Sequence, residues 1–218
     1  MIARAKVAKP KRSRNAEDTR DKILRAARSE FASHGFAGAR IERIVLAAET
    51  NPRMLYHYFG DKSGLYVAVL EDAIGNLRRE EMKIDVEHLA PIAGLMQLFE
   101  FMNTHFESDL PLVRLLRNEN LQQARYLKTS RRIREMSSPV LALIDGLLAR
   151  GAAEGSVRAG VDALQLYVMM VALNQFPLSN VHTLSVIFDQ NLSKLAWRAA
   201  RHAAAREMIR AYLRPDLG

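Results

Sequence analysis

Lysine and arginine, the side chains that bind phosphate groups, are concentrated at one end of this 218-residue sequence. Residues 1–62 contain 14 Lys and Arg against 7 Asp and Glu, whereas the remaining 156 residues contain 18 against 17. Such a segment is typical of a region that binds a polyanion, although a solvated basic tail gives the same count. The chemistry indicated by the first quarter of the chain is therefore ionic contact with phosphate.

The first 18 residues form a basic arm in which Lys and Arg alternate with Ala, Ser and Pro. Because no apolar residue recurs there at a regular spacing, residues 1–18 are predicted to be disordered when the protein is free. Such an arm could follow the phosphates or enter a groove of a nucleic acid. Its basic residues are Arg4, Lys6, Lys9, Lys11, Arg12 and Arg14.

The residue patterns that usually carry catalysis do not occur in the sequence. There is no cysteine, and no two of the six histidines are four residues apart, as a helical zinc site would require. The glycine motifs of hydrolases, phosphate-binding loops and dinucleotide-binding folds, GxSxG, GxxxxGK and GxGxxG, are also missing. We therefore predict no catalytic residue, no metal and no cofactor.

Composition and hydropathy exclude several classes of protein. With 49% hydrophobic and 26% charged residues, most of the chain can bury a core. The longest stretch without a charged residue, 163–188, is interrupted by polar residues and a proline, and residues 11–22 lack the apolar run of a secretory signal. Together with the lack of cysteine, these features predict a cytoplasmic protein that does not bind a membrane.

The elements that must position the basic residues are predicted to be helices. Ile23, Ala27 and Phe31 follow one face of a first helix. Polar residues before Thr19 mark its beginning, and Gly35 marks its end because glycine readily adopts the left-handed conformation that closes a helix.

Two short helices follow, joined by a turn of three residues. Apolar residues repeat at helical spacing over 41–48, and Asn51 can cap a third helix that has Pro52 at its first position. Leu55 and Phe59, one turn apart, are predicted to pack against the first helix. Two short helices on a longer one are typical of a helix-turn-helix unit, and this one lies in the basic part of the chain.

Beyond residue 80 the pattern remains helical, so the predicted fold class is all-α. A fourth helix from Lys62 to about Met82 connects the helix-turn-helix unit to the rest of the chain. We predict a disordered basic arm at 1–18, a helix-turn-helix domain at 19–65 and a larger helical domain at 66–218. The clearest later helical segments are 92–106, 112–121, 130–150, 163–174 and 193–213.

The residues TRDKILRAARSEFASHGFAGARIERI (19–44) and LYHYFGDKSGLYVAVL (55–70) resemble the tetracycline-repressor (TetR) family of bacterial transcription regulators. The resemblance implies a repressor that binds a pseudo-palindromic, double-stranded DNA operator as a homodimer. It also implies that a small-molecule effector binds in residues 66–218 and releases the DNA. The dimer contact would use the last two long helices, whose apolar faces lie in 163–174 and 199–213. Two recognition helices related by a twofold axis would read both half-sites.

The resemblance further implies that residues 51–58 form the recognition helix in the major groove. Arg53 is the best candidate for sequence readout, because a guanidinium can donate two parallel hydrogen bonds to guanine O6 and N7. A solvated surface arginine is the alternative. The residues implied to contact DNA are Pro52, Arg53, Met54 and His57 at base edges, Arg43, Tyr56 and Lys62 at phosphates, and the cap residue Asn51.

The sequence departs from the usual family pattern in three places. Ala39 and Arg40 stand where a Thr and a Ser commonly cap the second helix, so this cap must come from elsewhere. The tight turn usually written Ala-Gly-Val-Ser has Glu49 in place of its glycine and Thr50 in place of its apolar residue. The missing cap lowers the expected stability of the second helix by about 1 kcal/mol, and the two changes in the turn mean that the angle between the second and third helices does not follow from the family pattern.

Polar groups within apolar helical stretches are the candidates for effector binding. A buried polar group without a partner is costly, so such groups either bind a ligand or bond to each other, cap loops or face water. Methionine can line an adaptable pocket, although at helical spacing it is more often core. The candidate ligand-binding residues are Met102, Asn103, His105, Tyr126, Tyr167, Met170, Asn174 and Gln175.

Two other functions remain open on the sequence. A non-specific architectural nucleic-acid-binding protein would owe its affinity to the basic arm and would bind any duplex equally. A helical enzyme would use residues 91–190 and would turn over its bound small molecule. The effector, the operator sequence and the choice between repression and activation are not encoded in any recognisable motif.

Overall fold

The computed structural model describes residues 11–86 and 88–215, and this part of the chain is helical with no strand. The prediction of an all-α fold is confirmed. We call α1–α3 the head and α5–α10 the body, with α4 as the connecting helix. The helices are α1 Lys11–Gly38, α2 Ile41–Ala47, α3 Pro52–Phe59, α4 Lys62–Glu81, α5 Pro91–Ser108, α6 Leu110–Leu121, α7 Arg131–Ala153, α8 Ala163–Ser179, α9 Val181–Ile187 and α10 Leu195–Leu213, with a 3-10 turn at Leu127–Thr129.

The first helix begins at Lys11, eight residues before the predicted start near Thr19. Residues 11–18 of the predicted arm belong to α1 in the structure, residues 1–10 lie outside the described part of the chain, and disorder of the free arm stays a prediction. No proline or glycine occurs from Lys11 to His34, so the polar sequence offers nothing to end the helix. Apolar residues at helical spacing reveal only the part of a helix that is buried. They therefore do not reveal a helical extension made of polar residues.

The predicted break at Gly35 is present within α1. Gly35 has φ +65°, and the Phe36 ring behind it folds back to stack on Phe31 with the ring centroids 6.2 Å apart. Side chains of the three head helices then meet in one core in which Ile23, Ile44 and Leu55 have no exposed surface. Leu55 is a core residue as predicted, and Phe59 is partly buried against the same cluster.

Helix α4 runs from the head into the body without a break, so the predicted domain boundary at 65/66 falls inside a helix. Its fully buried Tyr66 lies edge-on to Phe31 of α1, with the ring centroids 4.8 Å apart, and to Tyr126, at 5.0 Å. Head and body are therefore joined by a continuous helix and a shared aromatic cluster rather than by a linker.

The body is built around α5, which contacts α6, α7, α8 and α10. Leu95, Leu98, Phe99 and Met102 of α5 are fully buried, as expected for a helix surrounded by others. None of the described helices combines the length and the apolar composition needed to cross a bilayer.

Helix α8 continues through Pro177, where the sequence predicted a break, and ends at Ser179. A proline inside a helix leaves the carbonyl four residues earlier without its donor. Here that carbonyl belongs to Leu173, and the Arg201 guanidinium of α10 donates to it at 2.5 Å. A donor distant in the sequence therefore offsets part of the cost of the proline, which a local pattern cannot reveal.

Candidate nucleic-acid interface and effector region

Helix α3 begins with the predicted cap. The Asn51 side-chain oxygen accepts a hydrogen bond from the Met54 backbone N–H at 3.1 Å, and Pro52 takes the first helical position, where its missing N–H costs nothing. A helix of eight residues is short, so a fixed first turn matters for its rigidity.

One face of α3 is buried in the head and the other is exposed. Leu55 is fully buried, and Met54 and Tyr58 are partly buried against the head core. The exposed face contains residues predicted to contact DNA, and Tyr56 is 47% exposed. Its members are Asn51, Pro52, Arg53, Tyr56 and His57.

Arg53 projects from the first turn of this exposed face. Its side chain has no hydrogen bond or ion pair with any other residue that the structure describes. A guanidinium that is exposed and has no competing carboxylate keeps all five donors available for an external acceptor. This arrangement suits a bidentate contact with a base edge.

Lys62 lies at the first position of α4, two residues after Gly60, which ends α3. Its ammonium nitrogen is 4.8 Å from the centroid of the Phe36 ring, a cation–π contact that holds the side chain near the helix N-terminus. The cap of α4 is Asp61, whose carboxylate accepts from the Gly64 N–H at 2.7 Å. A lysine beside a helix N-terminus is well placed to bind a phosphate.

The turn between α3 and α4 requires glycine at position 64. A Cβ atom built there would lie 2.1 Å from the backbone oxygen of Phe59, a distance that no real Cβ adopts. The backbone of α3 therefore approaches α4 as closely as the chain allows, and this contact fixes the direction of α3 relative to α4.

The missing cap of α2 is replaced by a residue that sequence analysis overlooked, Glu30 of α1. The Arg40 side chain makes no capping bond, and the Arg40 backbone N–H instead donates to Glu30 Oε1 at 3.0 Å. Glu30 of the neighbouring helix α1 therefore supplies the acceptor that the side chains of Ala39 and Arg40 do not provide. The lack of a capping side chain in the sequence indicated that the start of α2 needs an acceptor from elsewhere. The local sequence does not show which residue supplies it.

Glu30 also binds Arg43, the predicted phosphate clamp. Arg43 Nε and Nη2 lie 2.7 and 2.5 Å from Glu30 Oε1, and Nη2 donates to the Gly38 carbonyl at 2.8 Å. Burial acts to raise the pKa of Glu30, but the hydrogen bonds from Arg43 and Arg40 outweigh it and lower the pKa. Arg43 therefore joins α1 to α2, and its contact with DNA stays a prediction.

Glu49 occupies the turn between α2 and α3 in a left-handed conformation, with φ +51°. This is the position where the usual pattern has glycine, and a residue with a Cβ is strained there. The Lys22 ammonium nitrogen lies 3.4 Å from the Glu49 carboxylate. Because both side chains are exposed, this ion pair offsets little of the backbone strain. The turn is formed in spite of the substitution.

Three of the predicted effector-binding residues belong to the body core. Met102, Met170 and Asn174 have no exposed surface. The Asn174 amide nitrogen donates to the carbonyls of Phe99 at 3.3 Å and Met170 at 3.1 Å, while its oxygen has no partner. Asn174 therefore ties α8 to α5, and one acceptor remains unused.

Asn103 and Tyr167 also bind neighbouring side chains. The Asn103 oxygen accepts from Arg201 at 3.3 Å. The Tyr167 ring lies 5.1 Å from the Arg78 guanidinium carbon, and Arg78 pairs at 2.5 Å with the fully buried Glu81. Burial raises the pKa of Glu81 against the opposing effect of Arg78, and burial also raises the pKa of Tyr167.

His105, Gln175 and Tyr126 do not converge on a common site. His105 lies near the end of α5, with Nε2 3.9 Å from Asp109 Oδ2, and Gln175 is partly buried in α8. Tyr126 lies at the junction with the head, where its ring centroid is 4.4 Å from that of Phe36. The eight predicted residues thus spread over several contacts, and their role in effector binding stays a prediction.

A cavity of about 540 Å³ lies between the head and the body, and none of those eight residues lines it. It is bounded by α1, the end of α5, α6, the α8–α9 junction and the first turn of α10. Its lining residues are Ala32, Ser33, Glu107, Leu110, Val113, Arg114, Arg117, Leu178, Ser179, Val181, His182, Ser193 and Arg198. A second cavity, of about 520 Å³, lies at the α3–α4 turn and is lined in part by Tyr126.

Known proteins match both parts of the chain. Residues 23–69 match the family model for bacterial regulatory proteins of the tetR family, and residues 91–209 match the tetracyclin repressor-like C-terminal domain. The HTH-type transcriptional repressor NicS of Pseudomonas putida is 34% identical over 182 residues, which cover 84% of this chain and 86% of NicS.

Solved structures share the fold. The putative transcriptional regulator SCO4942 from Streptomyces coelicolor is 25% identical, with a TM-score of 0.66, over 87% of this chain and 97% of that one. The regulator FadR from Bacillus subtilis in complex with stearoyl-CoA is 18% identical, with a TM-score of 0.68, over 88% of this chain and 98% of the FadR chain. The matched models span the head and most of the body, and the chain belongs to the TetR family of bacterial transcriptional regulators.

Proposed function

We propose that this ligand-responsive, DNA-binding regulator acts as a homodimeric repressor on a pseudo-palindromic operator. The observation that carries the proposal is the position of Arg53, which is exposed on a capped helix and has no partner among the described residues. A second copy of α3 at a twofold-related position would read the other half-site.

Base and phosphate contacts divide between two groups of residues. Arg53 would read a guanine through two parallel hydrogen bonds, with Pro52, Met54 and His57 beside it at the base edges. Tyr56 on α3 and Lys62 at the start of α4 would hold phosphates, which fixes the position of α3 without adding sequence preference.

Exposed apolar residues on α8 and α10 support dimerisation through these helices. Leu164, Val168 and Phe176 of α8 lie at multiples of four residues and are 55%, 55% and 57% exposed. On α10, Leu195 is 77% exposed and Met208 is 61% exposed. Large apolar side chains that are exposed to this extent are typical of a surface that a partner covers, and a twofold contact would bury both copies together.

An effector would act by changing the relative positions of the two heads. Helix α4 is continuous from the head into the body and would carry the change. To shift such an equilibrium almost completely, a ligand must prefer one state by roughly 5.5 kcal/mol. We assign the protein no catalytic activity and no cofactor, and we place it in the cytoplasm because bacterial DNA lies there.

Selection of binding sites from a pool of random DNA duplexes tests this proposal. We expect the full-length protein to enrich an inverted repeat and to bind it as two chains per duplex, measured by light scattering of the complex. Enrichment of no sequence, with equal affinity for every duplex, would instead favour the architectural alternative, which the basic first quarter of the chain keeps open.

A further inference from the structure

The 540 Å³ cavity between the head and the body is positively charged. Three arginines and one glutamate line it, and the glutamate is already neutralised: Arg198 Nη2 lies 2.8 Å from Glu107 Oε1, and Nε lies at 3.2 Å. Arg114 and Arg117 have no hydrogen bond or ion pair with any residue that the structure describes.

Arg114 and Arg117 are neighbours on α6, three residues apart and therefore on the same side of the helix. Two like charges at this spacing repel each other, and both face the same cavity. Both side chains are exposed, so water screens most of this repulsion and each guanidinium remains free to bind an anion. An anion between the two guanidinium groups would offset the remaining repulsion and accept several hydrogen bonds.

The rest of the lining consists of apolar side chains, three serines and His182. Leu110 and Val113 of α6 and Leu178 and Val181 of the α8–α9 junction form the apolar walls. The volume of about 540 Å³ lies within the range of small-molecule sites. A ligand that matches the cavity thus needs both a negatively charged group and an apolar part.

We propose that this cavity binds a small organic acid, whose carboxylate contacts Arg114 and Arg117 and whose apolar part contacts the α8–α9 junction. The inference rests on the proposed function, since it names the chemical class of the effector. Arginine suits this ligand because its planar fork matches the two oxygens of a carboxylate.

A ligand in this cavity would touch the head and the body together. Ala32 and Ser33 of α1 line it, and α6 is attached to α1 near both of its ends. Asp109 at the start of α6 pairs with Arg28, and Asn118 near the end donates to the Phe31 carbonyl at 3.4 Å. Binding at Arg114 and Arg117 therefore acts on the helix that holds the head in place.

The test uses carboxylic acids and their neutral amides as probes, with the full-length protein and no DNA. The pairs are benzoate with benzamide and hexanoate with hexanamide, and binding is measured by calorimetry and by the rise in melting temperature. We expect at least one acid to bind about tenfold more tightly than its amide. Equal binding by acid and amide, or no binding by either acid, would overturn the proposal, as would inorganic phosphate binding as tightly as the acids.

Variants locate the site. The double variant Arg114→Gln/Arg117→Gln is expected to lose the acid at least about tenfold, whereas Arg131→Gln, which removes one exposed charge on α7, should bind as the unaltered protein does. Arg114→Lys keeps the charge but removes the planar pair of N–H donors that matches a carboxylate. We therefore expect an intermediate affinity for the acid. Acid binding that survives in the double variant would place the anion elsewhere and overturn the assignment.

DNA binding of the double variant separates this inference from the proposed function. Without acid, the double variant is expected to bind the selected duplex within about twofold of the unaltered protein, because neither arginine lies in the head. Loss of acid binding with intact DNA binding supports the site. If the unaltered protein selects no duplex, this result counts against the proposed repressor function and not against the acid site.

Discussion

Arg28 of α1 forms an ion pair with Asp109, the residue that caps α6. The two side chains are only 24% and 17% exposed, so the pair is partly shielded from water. The other Asp109 oxygen accepts from the Leu112 backbone N–H at 3.1 Å. One carboxylate therefore caps the first turn of α6 and holds the head against the body.

Replacement of Asp109 by Asn should separate these two roles. Asparagine caps a helix as well as aspartate does, so Asp109→Asn keeps the cap and removes the charge that faces Arg28. We expect the variant to lose about 1–2 kcal/mol of unfolding free energy, because a partly buried guanidinium is left unpaired. Urea denaturation followed by circular dichroism measures the change.

The matched control is Glu135→Gln in the pair Arg131–Glu135, whose side chains are 87% and 60% exposed. An exposed pair contributes little, so a loss below about 0.5 kcal/mol is expected there. Similar losses in both variants would show that shielding of the Arg28 pair has no energetic effect.

The position of His105 predicts a specific pH dependence of stability. Burial lowers the pKa of His105 below its ordinary 6.5, Arg28 and its positive charge act in the same direction, and Asp109 opposes them. The unfolded chain therefore binds a proton more readily than the folded one. Stability from this group is complete above about pH 6.5 and falls as the pH decreases towards the lowered pKa.

The variant His105→Gln cannot titrate and should lose this part of the pH dependence. We expect the difference in unfolding free energy between the two proteins to be constant above about pH 7 and to shift in favour of the variant as the pH falls below about 6. Denaturation curves at several pH values measure it. Parallel profiles down to about pH 5 would mean that burial does not penalise the charged imidazole.

The turn between α2 and α3 can be relaxed. Glycine adopts the φ of +51° found at Glu49 without strain, so Glu49→Gly should raise the unfolding free energy by about 0.5–1 kcal/mol. The control Glu42→Gly lies inside α2 and should lower it by about 1 kcal/mol. If both glycines destabilise the protein equally, the left-handed conformation of Glu49 carries no strain.

The sequence predicted the head well because its signals are local. Asn51 followed by Pro52 fixed the start of α3, and the apolar period of Ile23, Ala27 and Phe31 identified the buried face of α1. The polar extension of α1 towards Lys11 was not predicted, since it has no such period.

Contacts between distant helices were not predictable in the same way. The role of Glu30 as the cap of α2 depends on how α1 crosses α2, and the support of Pro177 depends on Arg201 from another helix. The predicted effector-binding residues also depend on how distant helices pack. Tyr126 and Asn174 are both polar residues near apolar stretches, yet they lie in different parts of the fold.

The residues that line the charged cavity come from α1, the end of α5, α6, the α8–α9 junction and α10. In the sequence, Arg114 and Arg117 are two ordinary surface arginines, because nothing local shows that they share a cavity. Only the arrangement of the helices reveals that no carboxylate of the described chain compensates them.

The most direct test of the account compares Arg53→Ala and Lys62→Ala on the selected operator and on random duplex, over a range of salt concentrations. Arg53→Ala is predicted to weaken operator binding by about 5- to 150-fold per half-site, to erase preference at one base pair and to leave binding to random duplex nearly unchanged. Lys62→Ala is predicted to weaken both duplexes alike and to reduce the salt dependence by about one unit per subunit. Equal losses on operator and random duplex for Arg53→Ala would contradict the assignment of α3 as the element that reads the DNA sequence.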